Sequence, residues 1–481
     1  MKAMIELLFM SLEVENSPIG RFFNPRSIAV IGSFREGYFG GYVIVRSLLK
    51  AGYEGAIFPV NPGYREVCGI KVSASLRDIP GKADVAVIMI NARSVLPILK
   101  ECADQGIRSV VVVSDGFAER DEEGARLQAE MVSLARSLDL RIIGPNTAGV
   151  VNTANGFNPC PYEAGYYKLG QGVTAVCAQT GMINPQAFPY PDMRFGVSKI
   201  CDFGNKCDVD ECDMLEYLAE DGKTEVISMY LESIRNGPRF LNLARRVATR
   251  KPVLVLKAGR TAEGAKASES HTGSLAVDDR IFDAACFQSG ILRLERFRDI
   301  FDMPKIFAGQ ALPPGNRVGI LTVTGGVAVM AIDECAKQGL CVAKLGGRQA
   351  KALEELFVGL GKNPVDVGPM MAAVPKAFDL YPTILSTILG DDNVDALFTV
   401  LWATPAGNVI SRYVETYEGL KGRFKKPVVT WIYGPDGGAA AELGKRLELC
   451  GFPVFDTPEK CIRALGLAYR YKRYTARGKT A

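Results

Sequence analysis

Histidine is almost missing from this chain: His271 is the one example in 481 residues. Chemistry that needs several imidazoles, such as a polyhistidine metal centre, is excluded, and any imidazole chemistry must happen at that position. The twelve cysteines are scattered singly, with no C-x-x-C pair. Close pairs such as Cys201 with Cys207 and Cys207 with Cys212 have no companion histidines for a zinc site. No metal ligand set is expected, and the thiols read as reduced and cytoplasmic. Long apolar runs are lacking as well. The N-terminal MIELLFM is broken by a glutamate, is too short to cross a bilayer and lacks a small-residue cleavage site, so no membrane or targeting segment is expected. The formal charge is only +4, and no Lys/Arg run is interleaved with aromatics, so nucleic-acid binding has no electrostatic footprint. The basic C-terminal YRYKRYTARGK reads as a solvated end.

What is present is a folded composition, 48% hydrophobic with 23% charged residues and 50 glycines. The length suits several domains. From Ser27 the chain alternates apolar strands, glycine turns and helices. SIAVIG, AIFPVNP, ADVAVIMI, SVVVVSDG and RIIGPNTAG read as strands, with helices over YVIVRSLLKAG, SVLPILKECADQG and EEGARLQAEMVSLARSL. In the first helix Val43, Val45, Leu48 and Leu49 form the apolar side. Continuously apolar strands alternating with helices indicate a parallel, doubly wound sheet, because both faces must be covered.

The remainder repeats itself. GVTAVCAQTGMI at 172–183 matches RVGILTVTGGVAV at 317–329. TEVISMYLESI at 224–234 matches NVDALFTVLWAT at 393–404, and RKPVLVLKAGR at 250–260 matches KKPVVTWIYGP at 425–435. Each copy closes with a helix and a short strand, SGILRL or CGFPVFD. The fold class expected is thus α/β with three doubly wound parallel-sheet domains. An extension over 1–20 precedes domains at 21–155, 156–310 and 311–481, the last two flavodoxin-like and joined by the Pro/Gly-rich AGQALPPGN.

The repeat places His271 after the strand PVLVLK, toward the carboxyl edge of a parallel sheet, where open α/β folds bind ligands. The second copy has DGGAAAELG there and no histidine. Ser270, Thr272 and Gly273 flank the imidazole with hydroxyls and amides suited to a phosphoryl group, and Lys257 and Arg260 lie at the preceding strand end. Glu232 ends the strand of MYLESIRNG at the same edge; a carboxylate bonded to one imidazole nitrogen fixes the tautomer and frees the other nitrogen to attack. Gln179, Thr180 and Gly181 follow another strand where a helix is expected to start, and amides and the helix dipole there favour an anion. The first turn, AVIGSFREGYFGG, carries Gly32, Gly37, Gly40 and Gly41, which do not fall on G-x-G-x-x-G. Such a turn suits a phosphate-bearing adenine nucleotide, but PVNPG lacks the acidic residue that would take a ribose hydroxyl in a dehydrogenase.

FFNPRSIAVIGS, IFPVNP, IIGPNTAGVVN, FGNKCDVDECDMLEYLAED, the stretch from YLESIRNG to SESHTGSLA, and KNPVDVG together resemble the NDP-forming acyl-CoA synthetases, in particular the α subunits of the ADP-forming acetyl-CoA synthetases, relatives of succinyl-CoA synthetase. The resemblance covers nearly the whole chain from residue 21. It implies a Rossmann-like CoA-binding domain followed by two flavodoxin-like domains. It implies an acid–thiol ligase in which acyl-CoA and phosphate give an acyl phosphate, which phosphorylates the loop histidine. The phosphohistidine then passes its phosphoryl group to ADP on an ATP-grasp β subunit, where any Mg²⁺ would accompany ADP or ATP. By motif the phosphorylated residue is His271 and its supporting carboxylate Glu232. CoA contacts would fall on Gly32, Ser33, Phe34 and Arg35, on Asn61 and Pro62, and on Ile90 and Asn91.

No ATP-grasp pattern is found in this chain, so a hetero-oligomer with such a partner is expected. Two departures stand out. The family's Ser-Gln-Ser-Gly turn reads Ala178-Gln179-Thr180-Gly181 here, and Pro185, Pro189 and Pro191 follow it, so the acid is expected to be something other than acetate. Gly63 replaces a lysine usual after VNP, with Arg65 the candidate substitute. A non-catalytic CoA or acyl-CoA sensor or scaffold on the same fold is the alternative reading, and a nicotinamide-dependent oxidoreductase rests on fold alone.

Overall fold

Every residue of SIAVIG is buried in the computed structural model, forming β1 (Ser27–Gly32). A strand with no wet face has to lie inside a sheet covered on both sides. The structure describes residues 14–162, 170–181, 195–266 and 278–477. Two compact units are present, Met1–Phe301 and Asp302–Ala481.

The first unit holds two sheets. In the first, β1 is joined by β2 (Ala56–Val60), β5 (Val85–Met89), β6 (Ser109–Val112) and β7 (Arg141–Ile143), all parallel, in the order β2-β1-β5-β6-β7. A small antiparallel hairpin, β3 (Glu66–Val67) with β4 (Ile70–Lys71), lies outside it. Counted without the hairpin the order is 2-1-3-4-5, a doubly wound arrangement whose direction switches between β1 and β5. Helices Gly41–Lys50, Val95–Asp104 and Glu122–Ser137 fill the crossovers. Asp121 caps the last of these, its side chain accepting from the Gly124 N–H at 2.8 Å. In the helix Gly41–Lys50 the apolar stripe is Val43, Ile44, Val45 and Leu48, whereas Leu49 is exposed. The expected stripe therefore included Leu49 where the structure has Ile44.

The second sheet contains β8 (Val150–Asn152), β9 (Gln171–Ala178), β10 (Val197–Asp202), β11 (Val226–Leu231), β12 (Val253–Lys257) and β13 (Leu292–Arg293), ordered β13-β12-β11-β9-β10-β8. Only β8 runs antiparallel, against β10. The five parallel strands again read 2-1-3-4-5, with the switch between β9 and β11.

The second unit repeats the pattern with β14 (Arg317–Thr322), β15 (Cys341–Val342), β16 (Val365–Asp366), β17 (Ala396–Trp402), β18 (Val428–Tyr433) and β19 (Val454–Phe455). Its order is β15-β14-β17-β18-β19, and β16 pairs with the far end of β14. The repeat is exact enough to be counted through its registers: Val226 pairs Thr174 in one copy and Ala396 pairs Val318 in the other. Carried forward, Gln179 corresponds to Val323, Glu232 to Trp402 and Asp202 to Asp366. The basic C-terminus belongs to the helix Pro458–Arg477, which buries Tyr471 and exposes Lys472 and Arg473, so it is more than a solvated end. All twelve cysteines are free. Among the described residues no helix is long and apolar enough to cross a membrane.

Candidate active site

The expected CoA contacts lie after β1, β2 and β5, neighbouring strands of the first sheet. Gly32 ends β1 so close to β5 that a Cβ would meet the Met89 carbonyl oxygen at 2.9 Å. Asn61 holds the loop after β2 against this point: its Nδ2 donates to the Gly32 carbonyl at 2.8 Å, and its Oδ1 accepts from the Gly63 N–H at 2.7 Å. The Ser33 hydroxyl lies 3.0 Å from the Tyr64 hydroxyl. Phe34 is buried and packs edge-on against Tyr64, with ring centroids 5.7 Å apart. Arg35 and Pro62 are exposed on the two loops, as is Arg65. On the β5 loop the Ile90 N–H donates to Ser114 Oγ at 3.0 Å, and Asn91 Oδ1 caps Arg93 at 3.1 Å.

At the second sheet, three adjacent strands end in Asp202 (β10), Gln179 (just after β9) and Glu232 (just after β11). Gln179 is almost fully buried and points into the protein. Its Oε1 accepts from the N–H groups of Glu232 (3.1 Å) and Ser233 (3.2 Å) and from Lys206 Nζ (3.2 Å), while its Nε2 donates to Ser233 Oγ (3.1 Å). Its own N–H donates to the Tyr230 carbonyl at 3.0 Å. Gln179 therefore clamps the chain that carries Glu232. The exposed Gly181, with nothing within 4 Å of a built Cβ, and the half-buried Thr180 are the members of that turn open to a ligand.

Lys206 and Glu211 support this clamp and were missed in the sequence. They form an ion pair of 2.8 Å with both side chains essentially dry. Lys206 Nζ also donates to the Ser233 carbonyl at 2.8 Å, and Glu211 Oε1 accepts from the Arg235 N–H at 2.9 Å. The Arg235 guanidinium in turn donates to the carbonyls of Lys206 and Cys207, at 3.2 and 2.9 Å. A buried pair of this kind offsets its desolvation only as far as its remaining hydrogen-bonding capacity is met; here Lys206 Nζ and Glu211 Oε1 have such partners, while Glu211 Oε2 has the ion pair with Lys206 and no hydrogen bond. Glu232 itself is buried, and its Oε1 accepts from the Tyr230 hydroxyl at 3.2 Å.

Asp202 is also buried, with Oδ2 accepting from the Ala148 N–H at 2.6 Å and Oδ1 from the Gly204 N–H at 3.1 Å. Burial pushes its pKa up to about 6, opposed by those amides and assisted by the nearby Glu232 charge. Lys257, at the end of β12, donates to the carbonyls of Ala258 and Gly259 at 2.9 and 3.0 Å, and burial lowers its pKa. The Ala258 N–H donates to the Leu231 carbonyl at 2.9 Å, so the chain leaving β12 begins beside Glu232. Ser270, His271, Thr272 and Gly273 lie outside the described residues, as do Pro185, Pro189 and Pro191.

The two strand edges meet at a cavity of about 610 Å³. Ile90 and Asn91 line it from the first sheet, Thr147 and Ala148 from the chain between the sheets, and Gln179, Thr180, Gly181 and Asp202 from the second. The structure thus brings together Ile90 and Asn91 with the Gln179 turn. Gly32, Ser33, Arg35, Asn61 and Pro62 stand on the neighbouring loops and do not line this cavity.

Two domain families match the chain, a CoA binding domain over residues 26–153 and a Succinyl-CoA ligase like flavodoxin domain over residues 171–307. The acetate–CoA ligase (ADP-forming) I subunit alpha of Pyrococcus furiosus is 35% identical over 477 residues, covering 95% of this chain and 98% of the relative. Acetate–CoA ligase (ADP-forming) II of Archaeoglobus fulgidus is also 35% identical, over 94% of this chain, and the chain spans 66% of that relative's length. Among solved structures, the dinucleotide forming Acetyl-coenzyme A synthetase 1 of Ca. Korarchaeum cryptofilum, in complex with phosphate and ADP, matches with a TM-score of 0.86. Identity there is 31%, over 96% of this chain and 98% of that one.

Proposed function

This chain belongs to the family of the ADP-forming acetate–CoA ligase α subunits, and from that footing we propose that it is the acyl-transferring subunit of an NDP-forming acid–thiol ligase. It interconverts acyl-CoA, phosphate and ADP with carboxylic acid, CoA and ATP. A phosphate oxygen attacks the thioester carbonyl, the C–S bond breaks, and CoA leaves as its thiol. The neutral His271 imidazole then attacks phosphorus in the acyl phosphate, the P–O bond to the acyl group breaks, and the carboxylate departs. Transfer of the phosphoryl group to ADP restores the neutral imidazole. Imidazole suits this work because its ordinary pKa leaves it largely unprotonated at neutral pH.

Glu232 has the role of fixing the imidazole tautomer and balancing the positive charge that develops on phosphorylation. Thr180, Gly181, Ser270, Thr272 and Gly273 are assigned to the phosphoryl oxygens, with Gln179 acting through its hold on the Glu232 loop. The turn residues Gly32, Ser33, Phe34, Arg35, Asn61 and Pro62 are assigned to CoA, with Ile90 and Asn91 at its thiol end. ADP, with its Mg²⁺, belongs to a separate ATP-grasp β subunit, which makes the working enzyme a hetero-oligomer. The observation that carries the reading is the shared cavity, in which the CoA-side residues Ile90 and Asn91 face the phosphate-side turn at Thr180 and Gly181.

The test is thioester formation from ATP, CoA and a panel of acids, with the ATP-grasp partner present. Wild type should form thioester with at least one acid, and His271→Ala should form none. Thioester formation by His271→Ala at the wild-type rate would refute the assignment.

A further inference from the structure

A thioester crossing the cavity, with its sulfur toward Asn91 and the attacking phosphate at Thr180 and Gly181, places its carbonyl beside the chain between the two sheets. Asn146, Thr147 and Ala148 of that chain line the same cavity. The segment is tied on both sides. The Asn146 N–H donates to the Ser114 carbonyl, just past β6, at 2.9 Å, and the Pro145 carbonyl accepts from the Asn205 N–H at 2.9 Å. The Thr147 hydroxyl donates to the Asp202 carbonyl, and the Ala148 N–H donates to Asp202 Oδ2 at 2.6 Å.

Two donors on this segment are left over. Asn146 is exposed, and among the described residues its side chain makes one contact, Nδ2 to Asn205 Oδ1 at 3.5 Å, the outer limit for such a bond. By contrast, the carboxamides of Gln179 and Asn205 on the same wall are spent on protein partners. The Thr147 N–H has no partner among the described residues, although the residue is only 4% exposed. Buried backbone N–H groups are nearly always paired, so one left over on a cavity wall is a place for an acceptor. The backbone at Asn146 is unusual too, with φ at 57° in the left-handed region that asparagine tolerates better than most side chains. Asparagine there serves either the turn alone or a ligand through its carboxamide. The carboxamide gives the turn no bond of ordinary length, which favours the ligand.

Acyl transfer to phosphate calls for such a pair of donors. As a phosphate oxygen bonds to the thioester carbon, the carbonyl π electrons move onto oxygen. When that oxyanion collapses, the C=O re-forms, the C–S bond breaks, and the proton of the phosphate goes to sulfur. Donors held in place before the reaction stabilise the developing charge without reorganising. Resting on the acyl-transfer reading above, we infer that the Asn146 carboxamide and the Thr147 N–H form the oxyanion site for the thioester carbonyl. Asn146 is then a catalytic residue of thioester cleavage, with no part in phosphoryl exchange with the nucleotide.

The left-handed backbone supplies the control. Glycine adopts this φ without strain, so Asn146→Gly keeps the turn and removes only the carboxamide. The experiment measures two half-reactions of the complex with the ATP-grasp partner. One is arsenolysis of acetyl-, isobutyryl- and phenylacetyl-CoA, in which arsenate replaces phosphate and the acyl arsenate hydrolyses at once, so that thioester cleavage is read alone. The other is labelling of His271 by radiolabelled ATP, which involves no thioester. In Asn146→Gly the kcat of arsenolysis should fall about 100-fold, the usual effect of losing one oxyanion donor, with KM for the thioester within about two-fold of wild type. Labelling by ATP should be unchanged. Asn146→Asp, which also tolerates this backbone but carries no donor when ionised, should lose at least as much arsenolysis. Arsenolysis at the wild-type rate in either variant overturns the inference. So does a rise in KM at unchanged kcat, or a joint loss of arsenolysis and ATP labelling in both variants, the mark of a merely structural role. Wild type that cleaves none of the thioesters, or takes no label on His271, would instead remove the acyl-transfer reading.

Discussion

Asp202 shows how one side chain can be expensive and retained at a cavity-lining position. Its pKa rises from 3.8 to about 6 because burial disfavours the charged form more than two amides restore it. Between those values the native protein keeps a proton that the unfolded chain has released. Raising the pH through that window therefore favours unfolding, and the lost stability stays lost above it. The predicted outcome is that wild type, measured against Asp202→Asn by urea unfolding, loses about 2 to 3 kcal/mol between pH 4 and pH 7. A difference independent of pH would show that the native carboxyl titrates at its ordinary value. Residue by residue, the sequence was legible where chemistry and backbone coincide, as at Gly32 and Asn61, and less so where a side chain turns inward. Gln179 follows a strand in a Gln-Thr-Gly turn that reads as an anion site, yet its carboxamide is spent on the Glu232 loop, Ser233 and Lys206. Nothing in a linear pattern distinguishes those two directions.

At the scale of elements, the chain from Phe203 to Glu211 and the loop after β11 are held together by Lys206, Glu211 and Arg235. Lys206 and Glu211 look like ordinary surface charges in FGNKCDVDECD, because neither lies on an apolar periodicity that would announce burial. In the structure their side chains are 1% and 0% exposed. Lys206→Met alone leaves a buried carboxylate without its cation and should cost about 3 to 5 kcal/mol. Lys206→Met combined with Glu211→Leu should recover a large part of that loss in the same denaturant titration. A loss in the double variant equal to the sum of the losses in Lys206→Met and Glu211→Leu alone would mean that the pair is not coupled. The strands themselves were legible as continuous apolar runs, and so was their alternation with helices. The three-residue β8 was not, since VVN is compatible with either sheet and only its antiparallel register with β10 shows which one it joins.

At the scale of the molecule, one doubly wound order occurs three times, and the repeat was readable because both copies keep strand, turn and helix in step. The chemistry did not follow the fold. Gln179 and Glu232 correspond to Val323 and Trp402 in the second copy, whereas Asp202 has a counterpart in Asp366, which also accepts from an N–H two residues on, that of Gly368, at 2.9 Å. One copy therefore carries the proposed nucleophile's supporting groups while the other keeps the scaffold and the Asp-x-Gly turn. That division fits an account in which His271 receives a phosphoryl group from acyl phosphate and gives it to ADP on the partner. The most direct measurement incubates the full chain alone with acyl-CoA and radiolabelled inorganic phosphate, then tests the label for stability in acid and alkali. The account predicts acid-labile, alkali-stable label in wild type and none in His271→Ala. Equal labelling of the two proteins, or an acid-stable label in wild type, would contradict it.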